Sequence, residues 1–128
     1  MKSSVIGAAI VGAAIWTASA PALAQGTCAV AGRYWALGRN AGGVGSYQGE
    51  VLISPTSSGC HVQWFAPNES AGTGTYNAGV LTVNFTFQKG AGGSGVVRYT
   101  RAANGEMHGV WWMNGYEHVQ GTETLRPM

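Results

Sequence analysis

Aspartate is missing from this chain of 128 residues; all five acidic residues are Glu. A Ser-His-Asp arrangement is therefore excluded, and no G-x-S-x-G elbow is present. Charge of either sign is scarce, at 9% of residues against the ~25% of an average globular protein. The formal net charge of +2 is too small for a surface that neutralises phosphates, so nucleic acid is not an expected partner. His61, His108 and His118 do not stand at metal-motif spacing, and the two cysteines do not form a C-x-x-C pair. No cofactor motif is present and no metal or cofactor is expected. The low charge does not imply disorder, because hydrophobic residues make up 45% of the chain. The 21 glycines follow no three-residue period, which excludes collagen.

The N-terminus reads as an address. Lys2 is followed by an apolar stretch from Val5 to Trp16, and Ala22-Leu23-Ala24 gives a small-x-small cleavage site before Gln25. This is the layout of a secretory signal peptide over 1–24, with cleavage after Ala20 as a second possibility. The apolar run is shorter than the ~20 residues that span a bilayer, and Pro21 interrupts it. The rest, 25–128, is expected to be a single domain, periplasmic or secreted, with a mature form that does not span the membrane. In an oxidising compartment Cys28 and Cys60 read as one disulfide.

Beyond residue 24 period-2 alternation replaces any helical period. The alternation predicts strands over Gly32 to Leu37, Tyr47 to Ser54, His61 to Phe65, Gly72 to Tyr76, Val80 to Phe87, Val96 to Arg101, Glu106 to Met113 and His118 to Arg126. The breaks carry Gly and Asn, which accept the positive φ of tight hairpin turns. Links this short cannot make parallel crossovers, so neighbours should pair antiparallel. Eight strands in meander order leave two open edges unless the sheet closes on itself. The expectation is an all-β, small eight-stranded antiparallel up-and-down barrel; a two-sheet sandwich is the structural rival.

One alternation phase collects the residues expected inside. They include Tyr34, Ala36, Tyr47, Gly49, Val51, Ile53, Val62, Trp64, Tyr76, Leu81, Val83, Phe85, Phe87, Val97, Tyr99, Met107, Gly109, Trp111, Gly121, Glu123 and Leu125. Large rings mixed with glycine suit a narrow barrel. Glu123 is the one carboxylate in this set, and a buried carboxylate must be paired or protonated. Tyr and Trp donors could satisfy it, and so could Arg33 or Tyr34, since closure places the last strand beside the first. Trp35, Trp112, Arg98 and His108 fall in the outer phase.

Gly32-Arg33-Tyr34, Tyr47-Gln48-Gly49-Glu50-Val51-Leu52-Ile53, Val62-Gln63-Trp64, Gly72-Thr73-Gly74, Gly95-Val96-Val97-Arg98-Tyr99, Gly109-Val110-Trp111 and Gly121-Thr122-Glu123-Thr124-Leu125-Arg126-Pro127 carry a resemblance. With these segments the chain resembles a group of short secreted bacterial β-barrel proteins of poorly defined function, some of them labelled fibronectin-binding protein. More distantly the G-x-W/Y repeats look like those of avidin-like and lipocalin-like barrels. The chain lacks a full set of biotin-contacting residues and a lipocalin entrance helix, so neither ligand is carried over.

The expected function is non-enzymatic. The leading expectation is an exported barrel that binds a small apolar or aromatic ligand at a mouth lined by Tyr34, Tyr47, Trp64, Tyr99 and Trp111, with Glu123 as a polar contact. The alternative is an envelope or adhesion protein that binds a protein partner, such as a fibronectin-like host protein, through Trp35, Trp112 and the outer face.

Overall fold

A computed structural model describes residues 27–65, 69–88 and 92–128. The signal peptide read over 1–24 lies outside the described residues. Eight strands follow one another: β1 Gly32–Arg39, β2 Ser46–Pro55, β3 Cys60–Trp64, β4 Ser70–Asn77, β5 Val80–Phe87, β6 Ser94–Arg101, β7 Met107–Met113 and β8 Gln120–Pro127. Each pairs antiparallel with the next, and β8 pairs with β1 from Tyr34↔Pro127 to Arg39↔Thr122. The sheet is thus a closed up-and-down barrel, which removes both edges. The sandwich is excluded by the β1–β8 ladder.

The alternation decides which face is inside. In β5 the run Leu81, Val83, Phe85 is buried while Asn84 and Thr86 are exposed. Every member of the inner phase named above is buried or half-buried. The outer wall carries Thr73, Thr75, Asn84, Thr86, Arg98, Thr122 and Arg126 as exposed side chains. Among the described residues no helix is long and apolar enough to cross a membrane.

The strand ends differ from the alternation reading at two glycines that matter for the site. Gly38 extends β1 past its expected end at Leu37, and Gly95 belongs to β6, where the sequence suggests turn chemistry. Glycine is a poor strand former in isolation. Here each sits opposite an aromatic residue, Gly38 opposite Tyr47 and Gly95 opposite Phe85. The ring lies over the glycine and supplies the packing that the missing side chain cannot.

In an up-and-down order the two barrel ends have different connections. The β2–β3, β4–β5 and β6–β7 turns share one end with the segment entering β1. Cys28 and Cys60 meet there in a disulfide with Cα atoms 5.3 Å apart. Together with Val30, Ile53, Val62, Leu81, Met107 and Leu125, each at most 1% exposed, they plug this end. Asn77-Ala78-Gly79-Val80 closes β4 onto β5 with positive φ at both central residues, 53° at Ala78 and 80° at Gly79. That is the backbone a two-residue hairpin needs to match the twist of its strands. The opposite end receives the remaining loops, and among the described residues it has no such aliphatic plug.

Candidate functional site

Glu123 stands at the centre of the open half. It faces inward from β8 and is 4% exposed. On one side its register partner is Gly38 of β1, and Gly38 in turn faces Tyr47 of β2. On the other side its partner is Gly109 of β7, and Gly109 faces Tyr99 of β6. The order across five adjacent strands is therefore Tyr47, Gly38, Glu123, Gly109, Tyr99. Each tyrosine reaches across a glycine to the carboxylate two strands away. A Cβ on Gly38 would stand 2.0 Å from Tyr47 Cζ, and one on Gly109 would stand 2.6 Å from Tyr99 Cδ1. Only glycine leaves either ring this path.

Tyr47 donates its hydroxyl to Glu123 Oε1 at 2.7 Å, and Trp64 donates its indole N–H to Oε2 at 2.9 Å. The Tyr99 hydroxyl also donates to Oε2. The indole N–H can only donate, so Oε2 must be an acceptor. Three neutral donors satisfy the carboxylate, as a buried polar group requires. The expected Arg33 and Tyr34 partners are not the ones used. Arg33 points outward, where it pairs with Glu50. Tyr34 donates to the Val30 carbonyl at 2.6 Å and helps seal the disulfide end. Register accounts for both: Glu123 lies opposite Gly38, well along β1 from Arg33 and Tyr34.

Burial pushes the Tyr47 and Tyr99 hydroxyls well above the usual tyrosine range, and the adjacent Glu123 carboxylate adds to the rise. The Trp111 indole N–H lies beside Tyr47 and opposes that rise. It nevertheless makes no well-aligned hydrogen bond and is screened from solvent. Trp111 lies over Gly121, its register partner, whose Cβ would stand 2.4 Å from the indole Cε2. Burial also raises Tyr34, against the opposing effect of Arg101.

Above the carboxylate the barrel holds a cleft of about 70 Å³. Tyr47, Trp64, Phe85, Phe87, Trp111 and Glu123 are among its lining residues, and Asn40, Ser70, Val97 and Tyr99 complete it. Phe85 is the hub of the rings. Trp64, Phe87 and Trp111 meet it edge to face, with centroids 5.8, 5.7 and 6.4 Å away. Such offsets fix ring orientation beyond what burial alone does. An enclosed apolar cavity of ~150 Å³ holds a benzene. The present cleft admits a smaller group, or the end of a larger molecule whose remainder stays outside.

The structure brings together five of the six residues expected at the mouth: Tyr47, Trp64, Tyr99, Trp111 and Glu123. Tyr34 is at the other end. Phe85 and Phe87 share the inner phase and join the lining, although alternation alone does not place them at the mouth. Gly38 continues the inner series Tyr34, Ala36 by two residues, and that spacing is the signal that would have found it. On the outer wall Trp35 lies opposite Arg126 and Trp112 opposite Gln120, six residues apart along β8, or ~20 Å. They do not form one patch. Trp35 donates to Gln48 at 3.1 Å, and the Arg98 guanidinium sits 5.8 Å from the Trp112 ring centroid. Among the described residues no group of three or more His, Cys, Asp or Glu stands together in a way that could hold a metal ion.

No family model, no curated protein and no solved structure matches this chain.

Proposed function

We propose that this protein is an exported, non-enzymatic binding protein whose barrel mouth receives a small apolar or aromatic group. The observation that carries the reading is the asymmetry of the interior. One end is plugged by aliphatic side chains and the disulfide; the other keeps a cleft of about 70 Å³ walled by rings. Concave, mostly apolar sites with a few fixed polar groups are where small molecules bind. Glu123 is held by three donors, which suits a rigid polar contact rather than a mobile acid or base. Export is supported by the leader-like start and by a disulfide that needs an oxidising compartment to persist. The resemblance to short secreted bacterial barrels points the same way.

Trp64 and Trp111 line the cleft, so intrinsic fluorescence reports its occupancy. A metabolite screen should find compounds that shift the emission, with the shift lost in Trp64→Phe together with Trp111→Phe. No shift with any compound, in a protein that is folded by circular dichroism, would rule the reading out. Binding through the outer face has weaker support, because Trp35 and Trp112 stand apart and each is already engaged.

A further inference from the structure

Among the described residues Glu123 is a buried carboxylate held by neutral donors. Among the described residues no Lys, Arg or His pairs with it: Arg33 and Arg126 engage Glu50 and Glu106 on the outer wall, and Arg39 bonds the Gly43 carbonyl. All three hydrogen bonds, from Tyr47, Trp64 and Tyr99, are donated to the Glu123 carboxyl oxygens, and none of these donors carries a positive charge. A buried charge without a countercharge is costly and strongly favours an incoming opposite charge. A carboxylate offers about four acceptor positions. Among the described residues three are filled, and the position left open is on Oε1, which accepts there from Tyr47.

The walls of the cleft fit the same ligand. Trp64, Phe85, Phe87 and Trp111 surround it, and ring faces carry the negative part of the aromatic quadrupole. Aromatic cages of this composition bind organic ammonium groups, whose methyl or methylene surface is apolar while the charge is spread beneath it. A purely apolar ligand would use the rings and leave the carboxylate unanswered. An anionic ligand would be repelled by it. The unpaired polar atom found nearby among the described residues, Trp111 Nε1, is screened from solvent and so does not present a donor to an occupant of the cleft.

We infer that the cleft takes a small organic cation, an alkylammonium or quaternary ammonium head group, with Glu123 as its counter-ion and the indole and phenyl rings as its cage. This deepens the ligand-binding reading above and rests on it. The cleft volume limits the buried part to the head group, so the rest of such a molecule projects into solvent.

The test compares cations with neutral molecules of the same shape. Choline is set against 3,3-dimethylbutan-1-ol, and propylammonium against propan-1-ol, each titrated into the wild-type protein by tryptophan fluorescence and calorimetry. The expected result is at least ten-fold tighter binding of the cation in one pair, reduced to near parity by Glu123→Gln. Equal or tighter binding of the neutral partner in both pairs overturns the cation assignment and leaves the apolar-ligand reading standing. If neither member of either pair binds, the cation assignment falls, and the broader screen decides the general reading by itself. A cation preference that survives in folded Glu123→Gln removes Glu123 as the counter-ion. Should that variant not fold, the wild-type comparison decides alone. Choline binding only after Lys89→Ala, a position outside the described residues, would mean that an ammonium of this chain already holds the carboxylate, and it too overturns the proposal.

Discussion

Tyr99 reaches Glu123 by lying flat across Gly109, the residue that stands in register with both. Tyr47 does the same from the other side across Gly38. The two glycines are therefore part of the site although neither can touch a ligand with a side chain. A methyl group at Gly109 would stand 2.6 Å from the Tyr99 ring. Gly109→Ala should cost about 3 kcal/mol, combining overpacking of ~1–3 kcal/mol with a disturbed hydrogen bond to a charged group. Urea denaturation measures it, and Gly38→Ala should behave alike. A change under ~0.5 kcal/mol in both would mean that the rings move freely.

Glu123 is the common acceptor of three buried donors. Glu123→Ala leaves all three without a partner and opens a void. A loss of about 2–4 kcal/mol is expected, since each buried donor left unsatisfied costs ~1–3 kcal/mol and removing a buried acid without a countercharge offsets part of that. Glu123→Gln should lose less, because its carbonyl can still accept, while its amide N–H₂ faces donors. The order of midpoints should be wild type, Gln, Ala. Equal midpoints for wild type and Ala would contradict the network.

The raised pKa values of Tyr47 and Tyr99 make an alkaline prediction. A group that binds its proton more tightly when folded stabilises the fold fully below its unfolded pKa, ~10 for tyrosine. That contribution is lost as pH rises above this value toward the folded pKa. The barrel should therefore lose stability above about pH 10. Spectrophotometric titration should show the absorbance of these two tyrosinates only together with unfolding. Ionisation of all tyrosines near pH 10 with native circular dichroism would refute the burial of the pair.

The disulfide joins Cys28, ahead of β1, to Cys60, at the start of β3, across a sequence separation of 32. In the chain-entropy account a loop of this size contributes about 3.5 kcal/mol. Reduction, or Cys28→Ser with Cys60→Ser, should lower stability by about that amount. Because the bond lies at the plugged end, ligand affinity of the folded fraction should change little. A large change in affinity at constant fold would tie the disulfide to the open end.

Ala78 occupies the left-handed region, with φ 53°. An L-residue with a Cβ pays ~1–2 kcal/mol there, while glycine brings back part of that through unfolded-state entropy. Ala78→Gly should stabilise by about 0.5–1 kcal/mol, a gain readable as a higher denaturation midpoint. A destabilisation would mean that the methyl group is worth more in packing than the turn costs.

Much of the architecture was legible in the sequence. In Leu81-Thr82-Val83-Asn84-Phe85-Thr86-Phe87 every second residue is apolar, and a strand has no other way to bury that set than to turn one face inward. Gly and Asn between such runs permit only short antiparallel links, and eight such runs in sequence allow a closed barrel or a sandwich; the β1–β8 ladder decided for closure. The inward phase of Tyr47, Trp64, Tyr99, Trp111 and Glu123 followed from the same periodicity. Periodicity is local, and it says nothing about which residues share a level of the barrel. That was decided by register, which sets Tyr34 against Pro127 at the plugged end and Glu123 between Gly38 and Gly109 at the open one. Gly38, which the alternation leaves just past the end of its strand, and Gly109, which it places inside, became the floor over which two tyrosines pass, because steric room beside a backbone exists only once another strand's ring is there to use it.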